Sequence, residues 1–133
     1  MSHANVEIVQ AALDAFMQGD NEGVLSLCDE NIEITQAAGF PGVPRKQHGH
    51  AGVLEAFDAW PEQWDDYRIE ILRVADLGDH VIVTQMARGR GKGSGVQVEM
   101  PLALLFSVRA GKISEWRIFS REEEALKAVG LAE

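Results

Sequence analysis

Apolar residues recur at intervals of three and four along three segments in the first half of the chain. This spacing places their side chains on one face of an α-helix. The three stripes are Val6, Val9, Leu13, Phe16 and Met17; Val24, Leu25, Leu27 and Cys28; and Val53, Leu54, Phe57 and Trp60. Gly19 ends the first predicted helix and Asp20 caps the second, while Pro61 stops the third or begins a new turn. The pattern therefore predicts three N-terminal helices.

Alternation with a period of two dominates the second half. The longest run extends from Val96 to Val108, where every even-numbered residue is apolar. We expect one face of this strand to be buried along its whole length. Shorter alternations predict strands over residues 31–36, 67–71, 80–88 and 113–119. Glycine-containing turns join the last four strands, which are therefore predicted to form an antiparallel meander.

Two segments follow neither period. Residues 37–50, AAGFPGVPRKQHGH, are rich in proline and glycine and are predicted to form a loop without regular structure. Near the C-terminus, Ser120 and Glu123 have the spacing of a capping box, which predicts a short final helix. Helices that are segregated from a hairpin-connected sheet define an α+β fold.

Chain length and net charge limit the number of domains and the kinds of molecule that the protein could bind. The 133 residues suit one domain, residues 1–133, with a single core. A net charge of -9 repels phosphate backbones, so we expect no nucleic-acid partner. The basic segment RGRGKGSG joins two predicted strands, whereas a phosphate-binding loop leads into a helix, so it is interpreted as a hairpin.

The sequence also indicates the cellular compartment. No run approaches the roughly 20 apolar residues that span a bilayer, and the N-terminus lacks the pattern of a signal peptide. We therefore expect a cytoplasmic protein without a membrane partner. The one cysteine, Cys28, lies in an apolar run and is predicted to be a buried structural thiol.

Three segments resemble SnoaL-like proteins of the nuclear transport factor 2-like superfamily, which also contains ketosteroid isomerase. They are AFMQGDNEGVLSLCDENIEI (residues 15–34), QHGHAGVLEAF (47–57) and FSVRAGKISEWRIFSREEEALKAVGL (106–131). The resemblance implies a cone-shaped fold with three N-terminal helices packed on a curved, mainly antiparallel sheet around a central apolar pocket. It also implies a ligand-binding or cofactor-free isomerase, cyclase or hydratase function.

The residues that carry out ketosteroid isomerisation in that family are absent from this chain. The position of the family's aspartate base is Gln36, its second acid falls at Leu104, and its tyrosine corresponds to Ala12. An amide does not accept a proton as a carboxylate base does. Ketosteroid isomerase activity itself is therefore excluded. The even-numbered residues of 96–108 contain no ionisable group that could replace the inward acid-base residue of SnoaL-like cyclases.

The predicted pocket combines aromatic and aliphatic side chains with a few polar groups, as small-molecule sites do. Its predicted lining is Leu13, Phe16, Gln36, Phe57, Trp60, Thr84, Met86, Leu102, Leu104, Phe106, Trp116 and Ile118. Gln36 and His48 are the candidate catalytic residues. A histidine at the pocket mouth can transfer protons near neutral pH, and the amide of Gln36 can form a hydrogen bond to a carbonyl or hydroxyl group. His48 and His50 lack further ligands at a metal-binding spacing, so neither a metal nor another cofactor is expected.

Two functions remain open. The first is a SnoaL-like protein that binds a small hydrophobic organic molecule, with or without cofactor-free chemistry. The second is a non-catalytic ligand-binding or protein-interaction module. It is favoured by the long strand, whose even-numbered residues from Val96 to Val108 are all apolar. Ala103 and Leu105 belong to the opposite, outer face of this strand and are less polar than residues on a solvent-exposed surface usually are. They predict a homodimer formed through the outer sheet face.

Overall fold

Four helices and six strands make up residues 3–36, 46–59 and 64–130, which are the part of the chain described by the computed structural model. The helices are α1 (His3–Met17), α2 (Asn21–Ser26), α3 (Gly49–Ala59) and α4 (Glu122–Ala128). The strands are β1 (Cys28–Gln36), β2 (Lys46–His48), β3 (Trp64–Asp76), β4 (His80–Gly91), β5 (Gln97–Arg109) and β6 (Lys112–Phe119). The predicted α+β class and its order of helices and meander are confirmed. Trp60 and Pro61 lie outside the described residues.

The six strands form one curved sheet in the order β2-β1-β6-β5-β4-β3. All neighbours are antiparallel except β1 and β6, which are parallel. Strand β2 corrects the prediction of a loop over residues 37–50, because Gln47 pairs with Ile34 on the sheet edge. A three-residue strand with polar side chains has no apolar alternation by which to recognise it.

The junction of α1 and α2 follows the local chemistry that the sequence predicts. Gly19 has a φ of 73°, a conformation that glycine adopts without a Cβ clash. The side chain of Asp20 then accepts a hydrogen bond from the backbone N–H of Gly23, at 3.0 Å. This N-cap satisfies a helix-end donor and fixes the direction in which α2 leaves α1.

The inner face of the sheet packs against α1 and α3. Leu104, Phe106 and Val108 from β5 join a core that includes Val9 and Val53 from the helices. Burial of the even-numbered face begins only at Leu102, since Val96 lies outside the strand and is 58% exposed. The predicted parity of β5 therefore holds for its second half, and its first half projects beyond the core.

Helix α4 covers the outer face of the same sheet. Ala103 and Leu105 are fully buried there, in a second cluster with Ile82, Phe119 and Ala125 of α4. These two residues are thus covered by the chain itself and no longer argue for a homodimer, which stays a prediction. The capping-box prediction was wrong in detail: α4 begins after Arg121, and the Ser120 hydroxyl donates to the Glu124 carboxylate at 2.9 Å.

None of the helices in the described part of the chain is long and apolar enough to cross a membrane.

Replacing Leu105 by alanine tests the cover that α4 provides. A buried leucine-to-alanine change costs about 2–5 kcal/mol, whereas an exposed surface residue should fall within about 0.5 kcal/mol. We therefore expect urea unfolding to show a large loss of stability for Leu105→Ala and almost none for the control, Val96→Ala. Equal effects in the two variants would show that the outer face is not covered.

Candidate functional site

A cavity lies between α1, α3 and the inner face of the sheet. Its wall consists of Leu13, Phe16, Ile34, Gln36, Ala56, Phe57, Tyr67, Ile69, Gln85, Leu102, Leu104, Trp116 and Ile118. Its empty volume is about 530 Å³, a figure that includes solvent at the open mouth. A cavity that opens to solvent and is lined mainly by apolar side chains with a few polar groups is typical of a small-molecule site.

Aromatic rings run in series along this wall. The rings of Phe16 and Phe57 have centroids 4.7 Å apart, and Phe57 meets Trp116 edge-on at 5.6 Å with an interplanar angle of 73°. Phe106 is fully buried behind Trp116, at 4.8 Å. Tilted and edge-to-face pairs of this kind stabilise each other by about 0.5–1.5 kcal/mol beyond their burial. The wall therefore offers aromatic edges and faces to a bound molecule.

Two glutamine side chains interrupt the apolar wall. Gln36 is 5% exposed and Gln85 is 2% exposed, and the Oε1 atom of each has no hydrogen-bond partner among the described residues. Gln47 is similarly buried, but its amide donates to the carboxylate of Glu55. A buried polar group without a partner costs about 1–3 kcal/mol, so such groups are uncommon and call for a functional explanation.

The structure brings together eight of the residues predicted to line the pocket: Leu13, Phe16, Gln36, Phe57, Leu102, Leu104, Trp116 and Ile118. Thr84 and Met86 do not line it, because they share the parity of Ile82, which packs in the outer cluster. Phe106 belongs to the core behind Trp116, and Trp60 lies outside the described residues.

Sequence reasoning missed five lining residues: Ile34, Ala56, Tyr67, Ile69 and Gln85. Tyr67 and Ile69 alternate in the predicted strand and could have been found from that parity. The predicted lining included Thr84 and Met86, so it placed the even-numbered residues of β4 on the inner face. The pairing of Gln85 with Leu102 shows that the odd-numbered residues face inward. The consecutive apolar residues Val81, Ile82 and Val83 conceal this choice in the sequence.

His48 lies away from the cavity. Alternation in β2 turns Gln47 inward and His48 outward, where the imidazole side chain is 64% exposed and its Nδ1 atom is 3.9 Å from Glu33 Oε2. His50 Nε2 is 3.1 Å from the carbonyl oxygen of Cys28, as part of the start of α3. The prediction of an acid-base histidine at the pocket mouth therefore has no support from this geometry. In residues 3–36, 46–59 and 64–130, no cluster of three or more histidine, cysteine or acidic side chains could hold a metal.

The thiol of Cys28 is buried, as the sequence predicts. Burial raises the pKa of Cys28 to about 11, and the nearby charge of Lys112 only partly opposes that effect. Because the thiolate is the nucleophilic form, burial and the raised pKa both lower the reactivity of Cys28 near neutral pH. Cys28 does not line the cavity either.

Comparison with known proteins gives a family match and several solved structures of the same fold. The sequence profile of the SnoaL-like domain matches residues 9–116. A comparison with curated proteins finds no match.

Among solved structures, TerC co-crystallised with polyporic acid is 22% identical, with a TM-score of 0.79 over 89% of this chain and 92% of that one. An NTF2-like protein from Burkholderia thailandensis E264 is 25% identical, with a TM-score of 0.78 over 94% of each chain. A protein of ketosteroid isomerase-like fold from Catenulispora acidiphila DSM 44928, in complex with trimethylamine, is 18% identical, with a TM-score of 0.74 over 94% and 93% of the two chains.

Alkylation kinetics test the environment of Cys28. With a pKa of about 11 instead of 9.0, the thiolate fraction near pH 8 falls about a hundredfold. We expect iodoacetamide to modify the folded protein at least a hundredfold more slowly than the urea-unfolded chain, and the rate to rise with pH. Comparable rates in the two states at pH 8 would contradict the buried position.

Leucine substitutions test whether the glutamine of the wall is unpaired. Gln85→Leu removes a buried group without a partner, so we expect stability to be unchanged or to rise by about 1–2 kcal/mol. The matched control Gln47→Leu breaks a hydrogen bond to Glu55 and should lower stability by about 0.5–1.5 kcal/mol. Urea unfolding measures both, and a loss for Gln85→Leu as large as that of Gln47→Leu would show that Gln85 has a partner.

Proposed function

The chain belongs to the SnoaL-like domain family, and from this premise we propose that its cavity binds a small, mostly apolar organic molecule. The observation that carries the proposal is a partly open cavity whose wall is almost wholly aromatic and aliphatic. Transfer of an apolar surface from water to such a wall contributes roughly 25 cal/mol per Å². The contacts among Phe16, Phe57 and Trp116 already order these rings, and side chains ordered before binding reduce the entropy lost on binding.

Solved structures of this fold support small-molecule binding. They do not indicate which ligand this chain binds, because the residues that line the cavity differ from protein to protein. TerC was crystallised with polyporic acid, and the Catenulispora acidiphila protein with trimethylamine. These are chemically different compounds held by proteins of one fold. The chemical class bound by this chain must therefore be inferred from its own residues.

Proton-transfer chemistry is the second candidate function. In the described part of the wall, no carboxylate, imidazole or amine is present to act as a base. The amides of Gln36 and Gln85 can nevertheless polarise a carbonyl or hydroxyl group, which is one component of isomerase, cyclase and hydratase chemistry. This observation keeps cofactor-free catalysis as the alternative, while binding alone accounts for every lining residue.

Blocking the cavity tests the proposed function. Ala56 is buried in α3 and lines the cavity, so Ala56→Phe places a ring inside it, at a cost of about 1–3 kcal/mol in stability. We expect the parent protein to bind naphthalene, measured by calorimetry, and Ala56→Phe to bind it at least tenfold more weakly. Circular dichroism checks that the variant is folded.

His48→Ala provides the control, since that side chain is exposed on the outer sheet face. It should bind naphthalene as the parent does. If Ala56→Phe binds naphthalene as tightly as the parent does, the cavity is not the ligand site. A parent protein that binds neither naphthalene nor a hydroxylated naphthalene would contradict the proposed function.

A further inference from the structure

We propose that the ligand carries two hydroxyl or N–H groups on opposite edges of an apolar ring system, one bound by Gln36 and the other by Gln85. The inference rests on the proposed function and specifies the chemical class of its ligand. Both side chains are more than nine-tenths buried, both line the cavity, and the Oε1 atom of each lacks a partner among the described residues.

The two amides lie on separate parts of the wall. Gln36 is the last residue of β1 and pairs with Ile118 of β6, whereas Gln85 of β4 pairs with Leu102 of β5. Strands β6 and β5 lie between them, so three strand spacings separate the two backbones, roughly 14 Å along a flat sheet. The inward curvature of the sheet shortens the distance between the side chains. Each amide therefore meets a different edge of a bound molecule.

The wall between the amides is apolar. Leu104 and Ile118 face each other across β5 and β6, with Leu102 beside Gln85 and Trp116 farther along β6. A ring system packed on these side chains would bury its faces and leave its two edges beside the glutamines. Charged groups are disfavoured here, because no described residue of the wall carries a charge to balance them.

Hydroxyl groups fit these acceptors better than ether or hydrocarbon groups do. A carbonyl oxygen accepts a hydrogen bond, so the matching ligand group must donate one. A ligand without these groups leaves a buried amide unpaired, which is how polar sites discriminate strongly against such analogues.

Four related compounds test the inference with the full-length protein: naphthalene, 2-naphthol, 2,6-dihydroxynaphthalene and 2,6-dimethoxynaphthalene. Each hydroxyl should tighten the dissociation constant about three- to tenfold, in keeping with the usual net strength of a hydrogen bond. We expect the diol to bind most tightly and 2-naphthol next. The dimethoxy compound should gain nothing over naphthalene.

Leucine variants assign each hydroxyl to its glutamine. Gln36→Leu and Gln85→Leu should each weaken binding of the diol to about the level of 2-naphthol in the parent. Naphthalene should bind to both variants at least as tightly as to the parent, because it no longer leaves a buried amide unpaired. Thr84→Val is the matched control, because Thr84 is next to Gln85 but lies on the outer parity, so its binding of all four compounds should be unchanged.

The results separate the two proposals. If naphthalene binds and Ala56→Phe prevents it, but the diol binds no more tightly than naphthalene, the cavity is the site and the two-donor inference is overturned. The inference is likewise overturned if both leucine variants keep the preference for the diol. If neither naphthalene nor the diol binds, the proposed function fails together with the inference. Should a leucine variant not fold, the four compounds on the parent protein still decide the matter.

Discussion

Burial of β5 on both of its faces is the constraint on which the rest of the structure depends. Residues 102–108 are all buried, with the even-numbered side chains against α1 and α3 and Ala103 and Leu105 beneath α4. Ser107 is the one polar residue in this stretch. Its hydroxyl donates to Glu115 at 2.9 Å and lies 3.0 Å from the Nδ1 atom of His80. This arrangement opposes a shift in register, because a slip by one residue would break the hydrogen bonds of Ser107 and turn its hydroxyl into the apolar core.

The cavity follows from that fixed strand. Leu102 and Leu104 supply part of its wall, and pairing across β4 and β6 positions Gln85 and Ile118 beside them. The aromatic series from Phe16 to Phe106 then ties α1 and α3 to the sheet. Two buried amide oxygens of this wall have no partner among the residues that the structure describes. Proteins retain such destabilising groups where binding requires them, so the cost in stability is itself an argument for a ligand.

The sequence predicted the fold and most of the apolar wall, because those features depend on local periodicity. The stripe that contains Leu13 and Phe16 and the alternation through Leu102 and Leu104 were sufficient to place both on the cavity. Gln85 could not be assigned in this way, since its face depends on the register between β4 and β5. His48 was misplaced for a similar reason: strand β2 is too short to have a pattern, and only its pairing with β1 shows which side chains face outward.

A crystal structure of the protein with 2,6-dihydroxynaphthalene would test the central claim most directly. The account predicts the ring system between α1, α3 and the sheet, with one hydroxyl oxygen within hydrogen-bonding distance, about 2.5–3.2 Å, of each of the Gln36 and Gln85 amides. An empty cavity with the compound bound elsewhere would contradict the account. So would a complex in which the two glutamines bond to other residues of the protein and leave both hydroxyls unpaired.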